Sequence, residues 1–388
     1  ERTAIVVVTA NDGTTKEFSI IQESGLSSDM FVTESGKGSG SSWSDPTSLE
    51  KALAEAPSGS TIFIAAGTYT PTKMITNGDP DDASDKTFEI STYITLQGGF
   101  PQNPSSGASS DPKNNKTILS GELGDGNQSY HVVTVTAPKV DGQKVVIDGV
   151  TITGGNGSDR SSIVTINDIK FAIGNGGGMS IGNAIVDVIN TDIINNITTN
   201  GGYCAGVFVH AASEVTFRNC KINDNQSAGN GGGLYIDRSI GYVYDSEVNR
   251  NSGGTAAGVH AFPDAEIYMY NSSISENQGR SYGAGFYVRQ NTKGVLVNCL
   301  IAGNVTPELD VINTTVVDNR VENGPGGGIY RQLNTNVLNL YNSIVAGNVS
   351  ADDGPEVDVY EDAAIEPVVK NSIISSQAFD SNGSIIED

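Results

Sequence analysis

Positive charge is scarce in this chain. Lys and Arg number 22 against 45 Asp and Glu, a net charge of −23. Such a surface repels phosphate backbones, which argues against nucleic acid as a partner. It also repels polyuronates and sulfated glycans unless a basic groove or bound Ca²⁺ intervenes. Apolar runs are short as well. No stretch of 18 apolar residues occurs, so no helical membrane span is expected. Histidine and cysteine number three each, and their spacing gives no zinc set. Phosphate-loop and nucleophile-elbow motifs are missing too. The chain opens at Glu1 without Met or leader, and the expectation is a trimmed, mature product of an exported protein.

Glycine, by contrast, is abundant at 47 of 388 residues, while charged residues make up only 17%. No Gly-X-Y period accompanies it, which excludes collagen, and 37% hydrophobic residues suffice for a core. Glycine and Asn between short Val/Ile/Tyr runs describe an all-β chain with many tight turns.

Residues 1–26 stand apart. Two alternating runs, Ala4–Ala10 and Phe18–Gln22, flank Asn11-Asp12-Gly13 and form a hairpin. Residues 27–60 hold the one good helix signal, between Ser44 and Pro57. Ser44 or Asp45 is placed to cap it, with Leu49, Ala52 and Leu53 on one stripe. This segment suits a lid on the open end of a solenoid over residues 61–388, whose first strand is Thr61–Ala66.

Two interleaved repeats define that solenoid. One is a seven-residue unit that starts at Asn190, Asn219, Asp245, Asn271, Asn298, Asn313 and Asn342. It ends at Asn196, Asn225, Asn251, Asn277, Asn304, Asn319 and Asn348, with Ile or Val at the fourth position. Asn371 begins a further copy. The other is a pair of small residues before a β-run, starting at Gly177, Ala205, Gly232, Ala257, Ala284 and Gly327. Successive pairs lie 28, 27, 25, 27 and 43 residues apart, and the long interval contains the Asn313 copy. A period near 26 with several short strands per repeat specifies a parallel β-helix. Equal positions then stack in columns about 4.8 Å apart, and side-chain amides in a column satisfy one another.

This alternation resembles the right-handed parallel β-helix proteins of pectin-lyase-like fold, and is similar to the GGAI/FxxN repeats of polymorphic outer-membrane proteins. Phrases such as Ser42-Trp43-Ser44, Ile64–Tyr69, Leu96–Phe100 and Ile147–Gly155 add to the likeness. The segment from Arg2 to Gln22 resembles the end of a BACON-type immunoglobulin-like domain. These resemblances imply a protein secreted or held at the outer-membrane surface, without a transmembrane segment and monomeric.

Catalytic constellations were sought in the same residues. Asn190-Thr191-Asp192 matches an acidic motif of polygalacturonase-type hydrolases, but it is one copy of the repeat, and the companion motifs are missing. Asp79-Pro80-Asp81-Asp82 reads as solvated loop charge rather than a Ca²⁺ site, so no cofactor is expected. Strict alternation points Met179, Val207, Leu234, Val259, Phe286 and Ile329 inward. It sends Ser180, Phe208, Tyr235, His260, Tyr287 and Tyr330 outward, with His210, Asp237, Phe262 and Arg289 two residues further. Phe208, His210, Tyr235, Asp237, His260, Tyr287 and Arg289 are therefore the candidate glycan-binding residues, because aromatic faces stack on sugar rings. A second stripe, Tyr242/Tyr268 and Tyr244/Tyr270, lowers the specificity of the first. The leading expectation is a non-catalytic β-helix that binds polysaccharide or another cell-surface macromolecule. A polysaccharide lyase or glycoside hydrolase, and a rigid adhesin or stalk, are the alternatives.

The cysteines complete the expectations. Cys220 and Cys299 share one repeat slot three coils apart, roughly 14 Å at the coil spacing. That exceeds disulfide reach, and Cys204 belongs to another strand, so three free buried thiols are expected.

Overall fold

The computed structural model describes residues 29–158, 160–281, 285–288 and 292–302, with isolated strands and single residues on either side. At the N-terminus Arg2–Thr9 pairs antiparallel with Thr15–Gln22, the hairpin expected there. From Met30 onward the chain winds as a right-handed parallel β-helix. Its coils contribute strands to three long parallel sheets of twelve, eleven and seven strands, and a five-stranded sheet lines one corner.

The interior is one column of apolar side chains, mostly aliphatic with a few aromatic rings. Val207, Leu234, Val259 and Phe286, from four successive rungs of the seven-stranded sheet, are fully buried in it, as the alternation requires. Each further coil covers the apolar surface its predecessor would expose, so burial grows with every turn.

Both repeat elements have a structural reason, and it is shared. Asn196, Asn225, Asn251 and Asn277 form a buried ladder. The side-chain amide of each of the first three donates to the Oδ1 of the next at 3.0, 3.0 and 3.1 Å. Each Oδ1 also accepts the backbone N–H of the ladder residue before it. The second residue of the small pair is always Gly because these amides pack against it. A Cβ at Gly233 would lie 2.8 Å from Asn251 Nδ2 and 2.8 Å from the Gly258 carbonyl oxygen. The Asn or Asp that opens the unit has a different task. Asn190, Asn219, Asp245, Asn271 and Asn298 all have φ between 47° and 53°. That left-handed turn favours Asn and Asp over other side chains, and this ladder is exposed to solvent.

The helix spans Leu49–Glu55 and buries Leu49 and Ala52 against the first coils. It starts later than its sequence indicates. Ser48, not Ser44 or Asp45, is the cap, accepting from the Lys51 N–H at 3.3 Å. The reason is that Thr47 is drawn into pairing, donating to the Phe31 carbonyl at 2.9 Å. The sheet likewise begins before the helix, with Met30–Val32 pairing parallel to Thr61–Ala65. Near the other end, Leu309–Ile312 and Thr315–Val317 add a rung to the twelve- and eleven-stranded sheets, with no described strand added to the seven-stranded one. The side chains of Asn313, Asn342 and Asn371 lie outside the described residues.

Candidate functional site

The two outer sheet faces and the first coils are the places where side chains could meet a ligand, and they differ. On the seven-stranded sheet the register aligns Phe208, Tyr235, His260 and Tyr287 in one column, as alternation demands. Their rings touch in sequence, with centroids 5.3, 4.3 and 5.2 Å apart. The expectation of an open stripe is nevertheless overturned, since these four residues are only 8, 6, 3 and 4% exposed. His210, at 6%, is covered too. Tyr203 stacks parallel over Tyr235 at 6.1 Å, and Arg160 closes over Tyr203 at 3.8 Å. Phe171, from a hairpin that leaves the coil, sits edge-on to His210 at 5.0 Å. Burial drives the His210 imidazole down to about 3, with His131 and Arg238 adding to the effect. Asp237 is raised by burial, although Arg238 donates to it at 2.7 Å. Arg289 lies outside the described residues.

On the twelve-stranded sheet the second stripe, which lowered the specificity of the first, is the more exposed one. Tyr242 stacks on Tyr268 at 5.2 Å and 13°, and Tyr244 on Tyr270 at 5.1 Å and 8°. Near-parallel rings at rung spacing turn their faces to each other along the solenoid and only their edges outward. One end of each stack is also occupied. Arg218 lies 4.2 Å over Tyr244 and Lys293 5.2 Å over Tyr268, cation–π contacts that finish the stacks. Most ring faces are thus taken up within the stripe, which joins neighbouring strands.

The third place is a groove of about 700 Å³ on the first coils. Its floor is built by register: Phe31 pairs with Phe63, and Phe63 with Gln97, on the outer face of the twelve-stranded sheet. Phe100 ends the same strand as Gln97. Trp43 stands over the floor from the loop before the helix. Neighbouring centroids are 5.0–5.4 Å apart and the rings tilt by 39–73°. All four residues line the cavity, and their rings are tilted, unlike the near-parallel tyrosine stacks.

Both walls are held by their own hydrogen bonds. Around Trp43, Asp45 accepts from the Ser39 N–H at 3.0 Å and from its hydroxyl, bonds that lower the Asp45 carboxyl below its ordinary range. The opposite wall is the serine-rich loop 104–110, tied back where Ser110 Oγ donates to the Gly98 carbonyl at 2.7 Å. At its tip Gly107 takes φ 84°, a turn that a side chain would strain. The lining contains no Asp, Glu, Lys, Arg or His, in a chain of net charge −23.

Ser42-Trp43-Ser44 and Leu96–Phe100 were legible as phrases, but nothing in their spacing announces a groove. Phe31, Phe63 and Phe100 are separated by 32 and 37 residues and meet only through strand register. The one useful signal was the single Trp, beside loops too polar to bury it. Other candidates have structural partners. Asp192 of the hydrolase-like triplet pairs with Lys116 at 3.2 Å. Asp82 caps a short 3₁₀ turn and accepts from the Tyr130 hydroxyl at 2.8 Å. Among the described residues no three His, Cys, Asp or Glu side chains converge on one point.

Comparison with known proteins agrees on fold. Residues 205–379 match the profile of the right-handed β-helix region family. The crystal structure of a pectate lyase superposes with a TM-score of 0.53 at 13% identity, covering 92% of this chain and 87% of the other. A pectin methylesterase mutant in complex with a hexasaccharide gives 0.35 at 13% identity, over 70% and 78%. No curated protein matches the chain in sequence.

Proposed function

We propose that this chain is an exported, non-catalytic β-helix that binds neutral glycan in the aromatic groove of its first coils. The observation that carries this reading is the groove's composition: tilted aromatic faces opposite a row of serine hydroxyls, with no charged side chain. Apolar ring faces pack on the C–H faces of pyranoses, while hydroxyls on the rim pair with sugar hydroxyls. With no imidazole, carboxylate or amine in the lining, the groove has no side chain for general acid–base chemistry. An uncharged cleft in an acidic protein also discriminates, because the surrounding negative potential disfavours polyuronates.

The test is a glycan array probed with the full chain, followed by calorimetry on the ligands found. Neutral glycans are expected to bind, and Trp43→Ala to weaken them by up to about tenfold, the order of a stacked aromatic contact. The melting temperature should move little, because Trp43 lies outside the coil. Product formation from any bound polysaccharide would replace this reading with a lyase or hydrolase. Binding untouched by Trp43→Ala would remove the groove from it.

A further inference from the structure

One antiparallel hairpin interrupts the central coils. Ile163–Ile166 pairs with Ile169–Ala172, and the pair folds back over the outer face of the seven-stranded sheet. Its apolar contacts form a small cluster of their own, Ile75, Val164, Ile166 and Phe171, separate from the main core. The hairpin is otherwise anchored by isolated side-chain bonds, such as Asn77 Nδ2 to the Thr165 carbonyl at 2.9 Å. An element with so few apolar contacts opens at lower free energy than the coils beneath it.

What it covers is unusual for a structural contact. His131, Ser180 and His210 lie on three successive rungs and are 3, 1 and 6% exposed. His131 Nε2, Ser180 Oγ and His210 Nε2 have no hydrogen-bond partner. His131 Nδ1 faces the Gly176 carbonyl at 2.9 Å. A carbonyl can only accept, so Nδ1 carries the proton and Nε2 is a bare lone pair. Phe171 lines the narrow cavity beside His131 and meets the His210 ring, bridging the two. Gly182 permits this approach, since a Cβ there would lie 2.6 Å from Phe171 Cζ.

We propose that the Ile163–Ala172 hairpin is a lid that lifts on acidification and uncovers the His131 and His210 imidazoles. A proton added at either Nε2 places a charge in a site with no acceptor for it, and moving the hairpin lets water supply one. The surrounding groups do not offer an alternative. Asp85 and Tyr130 line the cavity with His131. Asp85 is itself pushed towards its neutral form by burial, and Asp82 is engaged by the Tyr130 hydroxyl. Glu89 accepts from Thr136 and Thr76. On the His210 side stands Arg238, paired with Asp237. Asp168 and Lys170 of the hairpin are exposed to solvent.

The direction follows from linkage. Burial lowers His131 to about 4 and His210 to about 3, from an ordinary value of 6.5. The open form therefore binds more protons between pH 6.5 and these values, so closure is complete above 6.5 and weakens as pH falls towards 4. Each imidazole multiplies the opening constant by up to about tenfold per pH unit in that window.

The experiment is hydrogen exchange on the full chain at pH 7 and pH 4.5, corrected for intrinsic amide rates and resolved by peptide. Exchange over 163–172 should rise by more than about tenfold at the lower pH, with the coil strands still protected. The double variant His131→Gln, His210→Gln cannot take up the protons and should lose that pH dependence. Unchanged protection at pH 4.5, loss of the coils together with the hairpin, or the same response in the variant would each overturn the proposal. Should the variant not fold, NMR titration of the wild-type imidazoles decides. Values near 6.5 for both His131 and His210 would overturn it, and values well below would uphold it.

Discussion

The outer faces of the seven- and twelve-stranded sheets carry aromatic columns generated by the same alternation, yet one is roofed and the other more open. On the first, Phe208, Tyr235, His260 and Tyr287 are buried, with Tyr203 stacked over Tyr235, and their rings tilt against one another. On the second, Tyr242, Tyr244, Tyr268 and Tyr270 stack near-parallel, with a cation at one end of each stack. Alternation determines the side of a strand on which a residue stands. What lies over that side is decided by insertions with no repeat of their own. The aromatic groove makes the same point, because the serine-rich wall is an excursion between strands.

The sharpest test of the contrast sets Tyr235→Ala against Tyr268→Ala. Tyr235 is as buried as a core residue, and its truncation should cost about 4 kcal/mol by chemical denaturation. Tyr268→Ala should cost less than about 1 kcal/mol, the scale of a cross-strand pair. Equal losses would erase the distinction between the faces.

The corners of the coil offer a second version of the comparison. Asn251→Ala leaves the Ile222 carbonyl and the Asn225 and Asn277 amides short of partners, at a cost of about 3 kcal/mol. Asn271→Ala, in the exposed ladder, should cost about 1 kcal/mol, chiefly from forcing Ala into a left-handed turn. A larger effect at Asn271 would contradict the assignment of the buried ladder as the stabilising one.

The smallest effect concerns the thiols, which are free and buried as expected. Burial pushes Cys220 up to about 12 and raises Cys204 and Cys299 as well. At pH 8 the native chain should resist iodoacetamide, whereas the denatured chain should take up three labels by mass spectrometry. Rapid native labelling would place a thiol on the surface.

Most of the coil was legible before any coordinates. The 25–28-residue spacing, the Ile/Val at the fourth position and the buried Asn column all appear where the repeats put them, because each depends on contacts to the same position one coil away. The helix was legible too, though its cap was not, since the pairing of Thr47 with Phe31 is a contact between segments. The candidate site was read at half depth. The column Phe208–Tyr235–His260–Tyr287 exists, but the contacts of Tyr203 with Tyr235 and of Phe171 with His210 arise from segments without periodicity.

Sequence alone thus determined the solenoid, its inward and outward residues, and the separation of its cysteines. All of these are consequences of a repeat distance and a two-residue alternation. Tertiary structure alone decided which outward residues meet solvent. It brought Phe31, Phe63, Phe100 and Trp43 into one uncharged groove, and it left two imidazole nitrogens without partners beneath a hairpin. The physical reason is the same in each case: burial of an outer face depends on where non-repeating loops come to rest, and no local spacing encodes that position.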